Sequence, residues 1–315
     1  MKKKKIILLG VILSLALILV TSAIACQGPA GPVGPAATAK CSDCHNDTTL
    51  VLAKTLQWEE SLHSNYETAS TEGVRNTCGG CHSSEGYVKR LAANIAPNIV
   101  TENETNPTSI NCWTCHQIHT TYTKADFALR STAPVTLYIT KEVFDKGEGN
   151  LCVTCHQTRT APPAVGSGSN NVTSTRYGPH YGPQSSMLLG TGGYGPTSVS
   201  PHYTTVKDSC VQCHMVNGRH EMKPNIASCT PCHKGLTTFD NNKVQTEVKA
   251  SLDELGKLLE AKGMLKNGSP VAKVYSEQLG GALWNYRFIW SDNSSGVHNP
   301  AYTKALLKSA IAALK

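Results

Sequence analysis

The chain has 315 residues and a formal charge of +7, but four of those positive units are Lys2–Lys5, which leaves +3 for the remainder. A surplus that small excludes a nucleic-acid-binding role on electrostatic grounds. Only four Phe and four Trp accompany 13 Cys and 12 His, so the usual aromatic-rich core is not expected and the chemistry of the chain lies in its Cys and His.

The N-terminus is a targeting segment over residues 1–25. Lys2–Lys5 form a basic start, and Ile6–Val20 is an uncharged apolar run, too short to span a bilayer and suited to a signal-peptide core. Ala23-Ile24-Ala25 then reads as a small-x-small cleavage site before Cys26. Cys26 is open to two readings. One is a lipoprotein whose first mature residue is lipidated Cys26. The other is ordinary signal-peptidase cleavage that leaves a free thiol; Ala where a lipobox usually has Leu weighs on that side. The lipoprotein is the one expected, because a Cys at the cleavage point otherwise lacks a reason. Residues 26–40 continue as three Gly-Pro-x triplets, too few for a collagen helix and read as a stiff spacer.

From residue 41 one five-residue word, Cys-x-x-Cys-His, occurs six times: Cys41–His45, Cys78–His82, Cys112–His116, Cys152–His156, Cys210–His214 and Cys229–His233. This is the attachment signature of c-type haem. The cofactor-binding cysteines are thus Cys41, Cys44, Cys78, Cys81, Cys112, Cys115, Cys152, Cys155, Cys210, Cys213, Cys229 and Cys232. The proximal iron ligands are His45, His82, His116, His156, His214 and His233. A zinc site or redox disulfide could use an isolated Cys-x-x-Cys, but here His follows directly every time, downstream of an export signal. Six covalently bound haem c groups are expected over residues 41–233. Each brings about one net negative unit, so the loaded protein becomes mildly acidic.

Six histidines remain: His63, His119, His180, His202, His220 and His298. One spare imidazole per haem implies mostly bis-His ligation; Met187, Met215 and Met222 are the competing ligands, which would raise the potential. Short helices are expected around 50–70, carrying His63, and around 85–94. His119 lies too close to His116 to reach the far face of the same haem, and so should serve a neighbouring one. Residues 160–207 lack helical periodicity and read as a loop presenting His180 and His202, each after a Pro, with Tyr177, Tyr181, Tyr194 and Tyr203 packed on haem edges.

Residues 234–315 read as a C-terminal cap of three amphipathic helices. Val244, Val248, Leu252, Leu255 and Leu259 mark the first, ending at Gly263. Ser269-Pro270 reads as the cap and first residue of the second, and Asn299-Pro300 of the third, with His298 held at its start. The fold class expected is mainly α with long loops: a multihaem cytochrome c domain whose core is covalently bound haem, plus this three-helix cap.

These haem words resemble those of the multihaem cytochrome c superfamily that includes ammonia-forming nitrite reductase, cytochrome c-554 and hydroxylamine oxidoreductase. The stretches Gly178–Leu189 and Ser295–Tyr302 are similar to a recurrent loop and to the C-terminal region of that group. The catalytic Cys-x-x-Cys-Lys haem of such nitrite reductases is absent and the haem number differs, so their activity does not carry over.

Three functions fit. The leading one is an envelope-anchored conduit passing electrons along closely packed bis-His haems, between a redox-protein or quinone-linked donor and a downstream acceptor. The second is an oxidoreductase of a small nitrogen or sulfur compound with one open haem, for which His180, His202 or His220 would be a non-ligand and Arg176 and Tyr177 pocket residues. The third is a subunit of a homo-oligomeric filament or surface complex, marked by a distal His given to a neighbour's haem. Exported, lipid-anchored placement at the outer face of a membrane goes with all three.

Overall fold

The computed structural model describes residues 41–46, 50–97 and 102–315. The targeting segment, Cys26 and the spacer lie outside the described residues. The chain divides into two units, Met1–Asp43 and Cys44–Lys315. Of the first, the described part is the 3-10 turn Cys41–Asp43. The second is mainly helical, with long loops and a few very short strands.

Its helices are α1 (Leu50–Glu59), α2 (Gly79–His82), α3 (Ser84–Ala92), α4 (Cys112–Cys115), α5 (Gly149–Val153), α6 (Gln184–Leu189), α7 (Pro201–Thr205), α8 (Cys210–His214), α9 (Val244–Ala261), α10 (Glu277–Asp292) and α11 (Pro300–Leu314). Strands β1 (Val135–Thr136) and β2 (Val143–Phe144) form one antiparallel pair. Strand β3 (Ser169–Val172) pairs antiparallel with β6 (Lys273–Ser276), and β4 (Leu265–Lys266) with β5 (Ser269–Pro270).

The principal apolar core is C-terminal. Val248, Leu255 and Leu259 of α9 meet Leu283, Trp284 and Phe288 of α10 and Tyr302, Leu306 and Leu307 of α11, all buried. Helix α9 stops where the periodicity predicts, with Gly263 in the left-handed region donating to the Glu260 carbonyl. Helix α11 also begins as expected: the Asn299 side chain accepts from Tyr302 N–H and Pro300 sits in the first turn. The second helix does not. Ser269 and Pro270 are in strand β5, and α10 starts at Glu277, capped by Ser276. A Ser-Pro pair also suits the return strand of a tight hairpin, and the turn at Asn267 and Gly268, both at positive φ, decides for that.

The segment expected as a loop is more ordered than its composition suggests. It supplies β3, α6 and α7, and it is fixed to the cap by side chains. Trp284 Nε1 donates to Gly192 O at 2.8 Å, Gly193 N–H donates to the Tyr302 hydroxyl at 2.8 Å, and Asn285 brackets the Tyr194 backbone at 2.7 and 2.9 Å. Gly281 makes the approach possible, since a Cβ there would sit 2.1 Å from the Tyr194 ring. Tyr177 and Tyr194 are thereby committed to the cap: Tyr177 packs edge-on to Trp284, and Tyr194 donates to Glu277. Tyr203 packs on Phe144. All three tyrosines thus have partners within the protein.

Glu277 also accepts from Gly166 and Gly168 N–H, both at 2.9 Å. These bonds and the Tyr194 hydroxyl hold its carboxyl below the ordinary range, with Tyr194 contributing most. A depressed folded-state value stabilises above the unfolded carboxylate range and is lost as pH falls through the folded value. Replacing Glu277 with Gln should therefore flatten the acid limb of a stability-versus-pH curve, measured by denaturant unfolding. An unchanged limb would show that the clamp contributes nothing.

Truncating Trp284 to Ala at the centre of this core should cost about 3–5 kcal/mol, read as a lower denaturant midpoint with the haem content kept.

Candidate functional site: six facing histidine pairs

Four of the Cys-x-x-Cys-His words close on themselves as one helical turn, and a fifth, Cys210–His214, is helix α8. The His82, His116, His156 and His233 N–H groups donate to the carbonyls of Cys78, Cys112, Cys152 and Cys229, at 3.1, 2.9, 3.0 and 2.8 Å. A turn of this kind places the two cysteines on one side and sets the His beside the second. None of the twelve motif cysteines is in a disulfide.

The twelve histidines meet in twos. Ring centroids are 5.9 Å apart for His45 and His119, 6.1 Å for His63 and His156, and 6.1 Å for His82 and His180. They are 6.2 Å apart for His116 and His220, 6.1 Å for His202 and His233, and 6.3 Å for His214 and His298. Every pair joins one motif His to one spare His. Two metal–nitrogen bonds of about 2 Å, plus roughly 1.1 Å from each nitrogen to its ring centre, put such centroids about 6 Å apart. The gap suits one metal ion between two imidazoles. Among the described residues no group of three or more His, Cys, Asp or Glu converges as a zinc cage would.

The second ring nitrogens agree. Eight rings hydrogen-bond through Nδ1, and in the seven that meet an acceptor this leaves Nε2 unprotonated for the facing partner. His116, His214, His202 and His220 use the carbonyls of Phe127 (2.7 Å), Met222 (3.2 Å), Val297 (2.8 Å) and Gly218 (2.8 Å). His156 meets Gln184 Oε1 at 3.3 Å, His233 meets the Asn241 amide at 3.0 Å, and His63 meets Met222 Sδ at 2.6 Å. His298 donates to Asp292 Oδ1 at 2.7 Å. Burial pushes His63 down to about 4, with His156 adding to it, and burial with Arg159 does the same to His180. Those rings are neutral, the form that binds metal. His298 goes the other way: burial would lower it, but Asp292 outweighs that and raises it.

A haem also needs cations for its propionates. Arg130 Nη2 is buried without a partner, beside the third motif, while its Nε donates to Trp113 O at 2.6 Å. That orphaned nitrogen fits a carboxylate supplied by a porphyrin.

Several placements differ from expectation. His63 is in a 3-10 turn, Leu62–Ser64, beyond the end of α1, because the helix stops at Glu59. His202 is on α7, capped by Ser200, rather than in a loop. His180 and His119 are both at positive φ, 71° and 61°. His119 faces His45, so it does turn to a different motif from the one beside it. Met187 is buried in the apolar core, with Thr303 donating to its sulfur, and Met222 braces His63; neither faces a motif histidine. Asp292, Gln184 and Asn241 were invisible in the sequence, where nothing periodic or spaced marks a side chain that holds a ligand's second nitrogen.

The second, third, fourth and fifth motifs lie against one another. Arg90 ties the second to the fourth, donating from Nε to Gly80 O at 2.9 Å and from Nη2 to Thr154 O at 3.2 Å. Cys81 lies close enough to Cys155, and Cys152 to Cys210 of the fifth motif, for Cys155 and Cys210 to push their partners' thiols up. Gly149 lies so close to Asp208 O that a Cβ would sit 2.7 Å from it. Cys115 of the third motif senses the charge of Cys155. The fifth and sixth pairs share one brace: Ser200 Oγ donates to His298 O at 2.6 Å, two residues before His202. No helix among the described residues is long and apolar enough to cross a membrane.

No family model matches the chain, and no curated protein does. Among solved structures it is similar to the outer cell wall cytochrome OcwA, at 23% identity and a TM-score of 0.54, over 82% of this chain and 50% of that one. It also matches an undecahaem cytochrome from the S-layer of Carboxydothermus ferrireducens, at 20% identity and a TM-score of 0.49, over 81% of this chain and 40% of that one. The chain thus spans about half the length of the first of these structures. At this level of identity the likeness speaks for the fold alone, which is shared with the outer cell wall cytochrome.

Proposed function

We propose that the chain is an exported hexahaem c-type cytochrome that transfers electrons along closely packed bis-His haems. Each motif binds one haem through its two cysteines. The axial pairs are His45 with His119, His82 with His180, His116 with His220, His156 with His63, His214 with His298 and His233 with His202. The observation that carries the reading is the set of six facing pairs: with both axial positions of every iron filled, oxidation state changes with little rearrangement and no site is left for a substrate. His180, His202 and His220, the residues an open-haem enzyme would have had to release, each face a motif histidine at 6.1, 6.1 and 6.2 Å. All six pairs are also completed within one chain, so a filament would make its haem contacts at the surface and not by exchanging ligands.

The motif contacts support a path from the first haem through the third to the fourth, then through the fifth to the sixth, with the second beside the fourth. Lipidated Cys26 and the Gly-Pro spacer would hold this path at the outer face of a membrane, between an envelope redox or quinone-linked donor and an external or periplasmic acceptor. The likeness to a cytochrome described as an outer cell wall protein agrees with that placement.

A pyridine haemochrome assay on the purified protein should return six haems per chain, and EPR of the oxidised protein should show low-spin signals alone. A high-spin signal that responds to nitrite, hydroxylamine or cyanide would replace the conduit with the oxidoreductase. Intact mass after membrane extraction should show a diacylglycerol adduct on Cys26; an unmodified thiol there would remove the anchor.

A further inference from the structure

Seven of the eight braced histidine rings meet neutral groups: four carbonyls, two amides and a thioether. The eighth, His298, meets a carboxylate. Its Nδ1–H donates to Asp292 Oδ1 at 2.7 Å, and the Asp292 side chain is 1% exposed. The carboxylate is built in. Ser294 Oγ donates to its second oxygen, and the same Ser294 oxygen accepts from His298 N–H at 3.2 Å. Asp292 is also the last residue of α10, where the helix dipole adds negative potential. Away from water that charge is weakly screened.

A carboxylate on the far nitrogen draws the imidazole N–H toward it and makes Nε2 a stronger donor, which stabilises the more positive metal. On the ligation proposed above, we infer that Asp292 is a positioning residue that sets the iron between His214 and His298 as the lowest-potential centre of the six. The step is a one-electron change, ferric to ferrous, with the electron arriving from a neighbouring haem. His298 keeps its proton and Asp292 its charge in both states, so nothing else need be supplied. This centre lies between the fourth and sixth haems, and an electron placed on it is given up readily to either.

The test is a mediated spectroelectrochemical titration of the full holoprotein, with EPR, for wild type, Asp292→Asn and Asp292→Glu. Asp292→Asn should raise the lowest of the six midpoints and leave the other five in place. It should also raise the largest g value of one low-spin signal, as expected of a less strongly donating ring. Asp292→Glu should restore both. Unchanged midpoints, or a uniform shift of all six, would overturn the assignment. So would a new high-spin signal in Asp292→Asn, which would mean that Asp292 only keeps His298 in place. A His298→Ala control reads the ligation separately: if its spin state matches wild type, His298 is not a ligand and the pairing itself fails.

Discussion

Replacing Cys152 and Cys155 with alanine should leave five haems per chain and slow electron passage between the two ends of the row by orders of magnitude. Replacing Cys78 and Cys81 should also leave five haems, yet keep the row connected. The difference rests on position. The fourth motif touches the second through Arg90 and the Cys81–Cys155 contact, the fifth through Cys152–Cys210, and the third through the nearness of Cys115. His63, which faces His156, is braced by the Met222 sulfur, and the Met222 carbonyl accepts from His214 of the fifth motif. The second motif has neighbours on one side of that junction only: Arg90 and Tyr87 reach Thr154, and Ser84 bonds Thr114 of the third. Removing the second haem therefore shortens a branch, whereas removing the fourth cuts the line. Reduction of the first haem by a pulsed donor, followed at the sixth, measures the difference. Equal slowing in both variants would show that the fourth motif is no junction.

The same contrast has a gentler form that keeps all thioether bonds. His63→Ala retains Cys152, Cys155 and His156, so six haems remain and one becomes high-spin. Its electron passage should slow because an open iron reorganises more on reduction. Full low-spin character in that variant would mean that His63 is not the partner of His156.

How much of this could be read from the sequence depends on the range of the interactions. The haem words are local: five consecutive residues fix both the chemistry and the turn that presents it. The third cap helix was equally legible, because an Asn-Pro start and an apolar stripe are satisfied within a few turns. The count of spare histidines did not say which ring each of them faces. His119 goes back to His45, and His63 goes forward to His156, across intervening motifs. Such pairings are set by where long loops dock, and the docking of residues 160–207 is set by cap side chains such as Trp284 and Asn285, remote in sequence. The same long-range contacts gave order to a segment whose Gly, Pro and Ser content argued for a loop. The helix expected over 50–70 ended early for a related reason. Beyond Glu59 the chain breaks into 3-10 and π turns, with Ser61 buried. That break aims His63, and it answers to a partner ring and not to local propensity.

Asn299 shows how one such contact governs two sites at once. The residue is fully buried; its amide donates to Met187 O at 3.0 Å and Ser198 O at 2.6 Å, and its oxygen accepts from Tyr302 N–H at 3.2 Å. It thus caps α11 and binds the segment leading into α7, which carries His202, while its neighbour His298 supplies the fifth pair. Replacing it with Ala removes the cap and strands two carbonyls, which should cost about 2–4 kcal/mol in denaturant unfolding. Val297 O and His298 O hold His202 and Ser200, so slack here loosens both His202 and His298, and on the proposed ligation two haems should gain high-spin character together. Asn299→Ser separates the two effects: a hydroxyl can still accept from Tyr302 N–H but is too short to bond both carbonyls. It should recover the cap's share of stability and not the spin state. Were Asn299→Ala to lose stability with all haems still low-spin, the loop and the cap would be coupled through the Trp284 and Tyr302 contacts alone. The two distal ligands would then be held independently of the helix start that lies beside them.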